Sequence, residues 1–330
     1  MEHALDGKAT LLYAQGSNIW RNQELQKNGE CGKPINWGDE TEMKNEALKI
    51  AKEADVIVCA MGECADMSGE CGSRTNLEMP DVQHELLAEL VKLGKPVVLL
   101  NFAGRPTVLT WEKQHVPAIM NVWFGGSEMG DALCDVLFGD KVPSGKLTTS
   151  MPKTTGQEPI YYNHQNTGRP VADDNKKFAK FASNCLDVSN GPLYPFGYGL
   201  SYTTFEYSNF RLSSQEADIN GNQEATEWQN GKNITATITV KNTGNRDADE
   251  IVQLYIRDMV ASISRPVKEL KGFQRIHLAV GESKEISFEI TPDMLKFYNA
   301  DLKHIIEPGD FQIMIGTNSK EVEALNFNVK

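Results

Sequence analysis

The side chains best suited to chemistry are concentrated in one loop, MGECADMSGECGSRTNLEMP, which spans residues 61–80. The loop holds three neighbouring carboxylates, Glu63, Asp66 and Glu70, followed by Arg74. Since close carboxylates repel each other, a fold gains nothing by default from placing them together. The loop is therefore either a solvated connector or a place where something positively charged or protonated is handled.

Residue types and spacing argue against two other chemistries for this loop. Cys59, Cys64 and Cys71 surround it, but their spacing is not the paired C-x-x-C of zinc sites, and no histidine lies among them. Ser68 has no histidine or lysine near it in the sequence that could activate it as a nucleophile. We therefore predict no metal and no cofactor, and we interpret the cysteines as small buried or loop thiols.

The apolar pattern of the first half predicts that the loop follows a strand and precedes a helix. Helical spacing occurs at residues 41–54, 80–94, 105–115 and 125–139, and short apolar strands at 55–62, 96–102 and 117–124. Strands that alternate with helices favour a mostly parallel sheet with right-handed crossovers. Ligands of such sheets bind outside the carboxyl ends of the strands, where this loop begins. Ser127, after two glycines, is the expected N-cap of the last helix.

The second half changes to a period of two residues. Residues 233–244 alternate between apolar and polar side chains, and further short strands follow at 248–258, 284–292, 309–318 and 323–330. Roughly seven short strands over about 120 residues fit a β-sandwich, and the only helical turn expected after Gly231 lies near residues 292–297. We predict an α/β domain at residues 1–155, an ordered connector at 156–202, and a β-sandwich at 203–330.

Composition excludes several classes of partner. The net charge of −12 argues against nucleic acid or an anionic membrane surface, because phosphate binding needs a basic face. The longest apolar runs are far too short to span a bilayer. The first ten residues, MEHALDGKAT, lack the basic and apolar regions of a signal peptide.

Seven motifs follow one another along the chain: GECADMSGECGSRTNLEMP, GKPVVLLNFAGRPTVL, VWFGGSEMGDALCDVLFGDKVPSGKL, IYYNHQNTGRP, LYPFGYGLSYTTF, SRPVKELKGFQRI and EPGDFQIMIGTNS. In this order they closely resemble the C-terminal half of bacterial β-glucosidases of glycoside hydrolase family 3. The resemblance implies an α/β sandwich domain followed by a fibronectin type III-like domain. In that family both follow an N-terminal (β/α)8 barrel.

The resemblance also implies a retaining β-glycosidase, β-glucosidase-like or alternatively a β-xylosidase, that acts on terminal non-reducing β-linked sugars. Its substrate would be a β-glucoside or an oligosaccharide. A retaining glycosidase needs two carboxyl groups about 5–5.5 Å apart, one as nucleophile and one as general acid and then base. In the family the barrel supplies an aspartate nucleophile, and the loop of the sandwich domain supplies the acid/base.

The resemblance ranks the charged residues of the loop without closing the choice. Glu70 stands just before Gly72-Ser-Arg-Thr-Asn-Leu77 and is the first candidate for the acid/base, with Glu63 the second and Asp66 the third. Asp66 and Arg74 are expected to bind substrate. Arg74 has an equally good alternative as the ion-pair partner of Glu63 or Asp66.

The chain departs from the family pattern in its first residues, since neither the barrel nor the first strand of the sandwich domain is recognisable. We therefore expect the isolated chain to be inactive, to act with a barrel in cis or in trans, and to self-associate through bare faces. The parent enzyme is expected to be periplasmic or secreted. The alternatives are a non-catalytic carbohydrate or protein interaction module, or an inactive gene fragment.

Overall fold

The computed structural model describes residues 1, 5, 7–22, 24, 26, 36–70, 72–174 and 180–330. The chain divides into two units. The first contains Met1–Phe138 and Met151–Glu158, and the second contains Gly139–Ser150 and Pro159–Lys330. The domain boundaries at residues 155 and 203 stay predictions. Cys71 lies outside the described residues.

The first unit is built around three parallel strands. Its elements are α1 (Glu40–Glu53), β1 (Ile57–Gly62), α2 (Ala65–Ser68), α3 (Asp81–Val91), β2 (Val97–Phe102), α4 (Thr110–His115), β3 (Ala118–Asn121) and α5 (Met129–Leu137). The sheet order is β1-β2-β3, with both pairs parallel. The predicted mostly parallel α/β class is confirmed.

The helices pack on this sheet through the apolar stripe that the sequence predicts. Asp39 caps α1 by accepting hydrogen bonds from the backbone N–H groups of Thr41 and Glu42. One core cluster joins α1, α3 and the strands, and its members include Ala47, Ala51, Leu86, Leu87, Leu90, Val97 and Leu99. Each large apolar side chain buried in this way contributes roughly 1.5–3 kcal/mol.

Two details of the predicted helices are wrong. The helix predicted from residue 105 begins only at Thr110, because Val108 forms a parallel β-bridge with Glu78 and its N–H donates to the Leu77 carbonyl at 2.9 Å. The N-cap of α5 is Glu128, without a side-chain hydrogen bond, and not Ser127. A Cβ on Gly125 would lie only 2.4 Å from Cγ of Met129. The glycine turn thus folds tightly against the first helical residue, and the helix begins one residue later than predicted.

The second unit is a β-sandwich. Its strands are β4 (Phe205–Leu212), β5 (Glu216–Ala217), β6 (Ile234–Asn242), β7 (Ala248–Asp258), β8 (Glu269–Leu278), β9 (Ser283–Ile290), β10 (Phe297–Tyr298), β11 (His304–Ile305), β12 (Gly309–Gly316) and β13 (Val322–Val329). They form sheets in the orders β5-β13-β12-β7-β8, β4-β6-β9 and β10-β11. Between Gly231 and Lys330, all of it described, the only helix is the single turn α6 (Pro292–Leu295).

The sandwich core comes from the alternating residues of the facing strands. Ile234, Ala236, Ile238 and Val240 of β6 are buried. They join one cluster with side chains of β7, β9, β12 and β13. Trp228 closes this core, and its indole Nε1–H donates to the carbonyl of Ile290 at 2.9 Å. The change of apolar period along the chain therefore corresponds to a change from an α/β fold to an all-β fold.

Candidate active site

The carboxylate loop leaves the sheet at a point fixed by glycine. Gly62, the last residue of β1, has φ 135°, and a Cβ there would lie 1.9 Å from the carbonyl oxygen of Phe102. Its N–H donates to Oε1 of Gln83 at 2.7 Å, and Nε2 of Gln83 donates back to the Gly62 carbonyl at 2.9 Å. The N–H of Glu63 then donates to the carbonyl of Phe102 at 2.7 Å. The first residue of the loop is thereby tied to the ends of β1 and β2.

Glu63 is buried in an ion-paired cluster. Its side chain is 1% exposed, and Oε1 lies 2.7 Å from Nη1 of Arg74 and 3.2 Å from Nε of Arg105. The backbone N–H of Gly104 donates to Oε2 at 3.3 Å. Buried carboxylates are tolerated when paired and hydrogen-bonded in this way. Arg74 thus forms the ion pair with Glu63 that the sequence suggested, and its predicted role in substrate binding stays a prediction.

The same two arginines bind the backbone of the loop. Nη2 of Arg105 donates to the carbonyl of Met67 and, at 2.7 Å, to the carbonyl of Gly72. Nη2 of Arg74 donates to the carbonyl of Glu78 at 2.8 Å. Each guanidinium thus joins the buried Glu63 carboxylate to loop carbonyls.

Glu70 and Asp66 have a different environment. Both residues are exposed, and among the residues that the structure describes neither carboxylate has an ion-pair or hydrogen-bond partner. Glu70 lies in a tight turn that is closed by a 3.0 Å hydrogen bond from the Gly72 N–H to the Gly69 carbonyl. Asp66 lies on α2, whose Met67 side chain is buried and anchors that single helical turn. The structure therefore presents these two carboxylates to solvent on an anchored loop.

Sequence reasoning missed two residues of this site, Gly104 and Arg105. A Cβ on Gly104 would lie 1.9 Å from Oγ of Ser68 and 2.9 Å from the ring of Phe124, so the loop packs directly on the glycine. The available signal was the pair Gly104-Arg105 just beyond the carboxyl end of β2, the edge at which the carboxylate loop also begins.

Metal binding and thiol chemistry would need suitable His, Cys, Asp or Glu side chains among the described residues. No group of three or more His, Cys, Asp or Glu side chains that could hold a metal ion occurs among them. Burial raises the pKa of the Cys59 thiol to about 12 and also raises the pKa of the Cys64 thiol. Since the thiolate is the reactive form, both cysteines are poor nucleophiles.

Within the part of the chain that the structure describes, no helix combines the length and apolar character needed to cross a bilayer.

Comparison with known families and proteins gives this site its context. Residues 6–202 match the C-terminal domain of glycosyl hydrolase family 3. The chain belongs to this family. Residues 250–319 match a fibronectin type III-like domain, which identifies the class of the sandwich in the second unit.

Among curated proteins, the periplasmic beta-glucosidase of Salmonella typhimurium is 43% identical over 100% of this chain and 42% of its own length. A beta-xylosidase of Formosa agariphila is 38% identical over 86% of this chain and 37% of its own length. A crystal structure of beta-glucosidase from Listeria innocua in complex with isofagomine superimposes with a TM-score of 0.79 at 38% identity, over 87% of this chain and 39% of that one. The chain spans less than half the length of these relatives.

Proposed function

We propose that this chain is the C-terminal part of a retaining β-glycosidase that hydrolyses terminal non-reducing β-linked sugars. The nucleophile lies on an N-terminal (β/α)8 barrel that acts with the chain in cis or in trans. The substrate class is a β-glucoside, with a β-xyloside as the alternative that the Formosa relative suggests. One observation carries the proposal: in a chain of this family, an exposed carboxylate stands on an anchored loop at the carboxyl edge of the parallel sheet.

Glu70 is the proposed general acid/base. A general acid must come within about 2.6–3.2 Å of the oxygen that it protonates, directly or through one water, so its carboxyl group must be accessible. Glu63 is 1% exposed, and both of its oxygens have partners within the protein. Asp66 is accessible, but it lies on α2 and not beside the Gly72–Leu77 motif, and it stays a candidate substrate contact.

In this mechanism Glu70 acts twice. As an acid it gives its proton to the leaving glycosidic oxygen while the barrel aspartate attacks the anomeric carbon. As a base it then takes a proton from the water that hydrolyses the glycosyl-enzyme intermediate. The isolated chain holds one carboxyl of this pair and is expected to be inactive. The Salmonella relative is periplasmic by name, and we propose a periplasmic or secreted location for the parent enzyme.

The test uses a chimera in which this chain replaces the segment of the Salmonella enzyme that it matches. Glu70→Ala should lower kcat/KM for methyl β-glucoside by about 10²–10⁴-fold. It should spare formation of the intermediate from 2,4-dinitrophenyl β-glucoside, whose leaving group needs little protonation. Azide needs no deprotonation, so it should restore turnover and yield β-glucosyl azide.

Asp66→Ala, on the same loop, is the matched control and should show neither leaving-group dependence nor azide rescue. If azide rescue occurred in Glu63→Ala and not in Glu70→Ala, the assignment of the acid/base would be wrong. An inactive wild-type chimera that binds no glucoside inhibitor would instead support a non-catalytic module.

A further inference from the structure

We infer that Arg105 and Glu63 are positioning residues that fix the turn carrying Glu70, an inference that rests on the proposed acid/base role of Glu70. Arg105 holds the backbone on both sides of that turn. Glu63 holds Arg105 and Arg74 in place. Neither residue is proposed to touch the substrate.

Arg105 binds the backbone of the chain both before and after Glu70. One guanidinium nitrogen of Arg105, Nη2, donates hydrogen bonds to two carbonyls, those of Met67 and Gly72, which lie three residues before and two residues after Glu70. The segment between them is already folded back by the Gly72 N–H to Gly69 carbonyl hydrogen bond. A Cβ on Gly72 would lie 2.9 Å from the carbonyl oxygen of Asp66. The two ends of the turn are therefore held together, and Glu70 projects from its middle.

Glu63 provides the charge that makes this arrangement possible. The side chains of Arg74 and Arg105 are only 12% and 21% exposed, and two poorly hydrated cations would repel each other without a shared anion. The backbone of Glu63 is itself bound to the carbonyl of Phe102. A continuous path of contacts thus runs from the end of the sheet through Glu63 and Arg105 to the turn that carries Glu70.

Precision of this kind matters for proton transfer. Displacing a catalytic group by about 1 Å can cost on the order of 10²-fold in rate. Lysine at position 105 would keep the positive charge beside Glu63. Its ammonium is a point charge on a flexible stem and lacks the planar fork of arginine, so it would hold the two carbonyls less rigidly. Arg105→Lys therefore separates the positioning role from simple charge pairing.

The first measurement is hydrogen exchange on the full 330-residue chain. Arg105→Lys and Glu63→Gln should raise exchange across residues 64–72 by about ten-fold or more, while α3 and β2 keep their protection. Arg21→Lys is the matched control, because Arg21 is an exposed arginine that pairs with three carboxylates of the same unit. It should leave exchange in the loop unchanged. Unaltered loop exchange in a folded Arg105→Lys chain overturns the inference, whatever the activity.

The second measurement uses the chimera. Arg105→Lys should lower kcat/KM for methyl β-glucoside on the order of 10²-fold. It should change kcat/KM for 2,4-dinitrophenyl β-glucoside by only a few-fold, because that constant reports formation of the intermediate, for which this substrate barely needs the acid. If Arg105 only stabilised the fold, its replacement would lower the folded fraction and reduce kcat/KM for both substrates equally. Equal losses would therefore overturn the inference. If the wild-type chimera were inactive and bound no glucoside inhibitor, the proposed function would fail, and hydrogen exchange would still decide whether Arg105 fixes the turn.

Discussion

At the scale of single residues, the second unit depends on a buried ion pair. Nζ of Lys146 lies 3.1 Å from Oε1 of Glu250 and also donates to Oγ1 of Thr317 at 3.0 Å, and the two charged side chains are only 10% and 3% exposed. Removing one partner of a buried pair leaves an uncompensated charge, which typically costs about 3–5 kcal/mol. Lys146→Met should therefore lower the free energy of unfolding of this unit by that amount in urea titrations. The double variant Lys146→Met/Glu250→Gln should recover part of the loss, because the neutral amide oxygen can still accept the hydrogen bonds of Tyr207 and Thr317. A cost below about 1 kcal/mol for the single variant would contradict the argument.

The same cluster predicts a specific loss of stability at high pH. Burial, followed by the charge and the hydrogen bond of Glu250, raises the pKa of Tyr207 well above its usual range. Above the ordinary tyrosine pKa of about 10, the unfolded chain releases the phenolic proton while the folded chain keeps it. The contribution is thus fully present below pH 10 and falls above it, by up to about 1.4 kcal/mol per pH unit. Tyr207→Phe should flatten this slope in urea titrations at a series of alkaline pH values. The control Tyr161→Phe, at an exposed tyrosine, should leave the slope of stability against pH unchanged.

Two identical tripeptides show where prediction from sequence stops at this scale. Gly-Glu-Cys occurs at residues 62–64 and again at 69–71, yet Glu63 is buried between two arginines and Glu70 is exposed. The sequence located the loop and identified both glutamates. It could not rank them by environment, because Arg105 lies 42 residues from Glu63 along the chain and its approach depends on the pairing of β1 with β2.

At the scale of elements, the junction between β1 and the loop depends on Gly62. Any side chain there requires a strained φ and collides with the Phe102 carbonyl of the neighbouring strand. Gly62→Ala should lower the free energy of unfolding of the first unit by more than about 1–3 kcal/mol, the usual cost of one strained residue, and should raise hydrogen exchange at the end of β2. Gly130→Ala is the control, because it lies in α5 with no atom within 4 Å of the new methyl group. It should stabilise the unit by roughly 0.5–1 kcal/mol, and similar effects of the two variants would refute the argument.

Elements with a strong apolar period could be predicted closely. The helix predicted at residues 80–94 is observed at Asp81–Val91, and the strand predicted at 96–102 is Val97–Phe102. The shortest elements had no such signal. The one-turn helix α2 is held by the burial of Met67, and β5, of two residues, forms only by pairing with the end of β13. These elements depend on tertiary contacts that a local pattern cannot encode.

At the scale of the whole molecule, the change of apolar period from 3.6 to two residues predicted both fold classes. Family membership and coverage of 42% or less of the compared relatives agree with a C-terminal half of a family 3 protein. The net charge of −12 makes anionic polymers poor partners, but it is compatible with an uncharged sugar. Charge and coverage are therefore consistent with the proposed function, in which the substrate is a neutral glycoside and the nucleophile lies on a barrel in cis or in trans.

The sheet of the first unit predicts how the chain behaves in solution on its own. Parallel sheets are normally covered on both faces, yet Val58 of β1, at the edge of the sheet formed by the described residues, is 39% exposed, and the preceding Val56 is 52% exposed. Exposed apolar edge strands promote association between chains, and lysine on such an edge prevents it. The isolated chain should therefore form dimers or larger species whose average mass in light scattering rises with concentration, and Val58→Lys should shift the mass toward the monomer.

Val280→Lys is the control for this prediction. It makes the same change at an exposed valine in a turn of the second unit and should leave the mass unchanged. A wild-type chain that stayed monomeric at high concentration would show that this face does not associate.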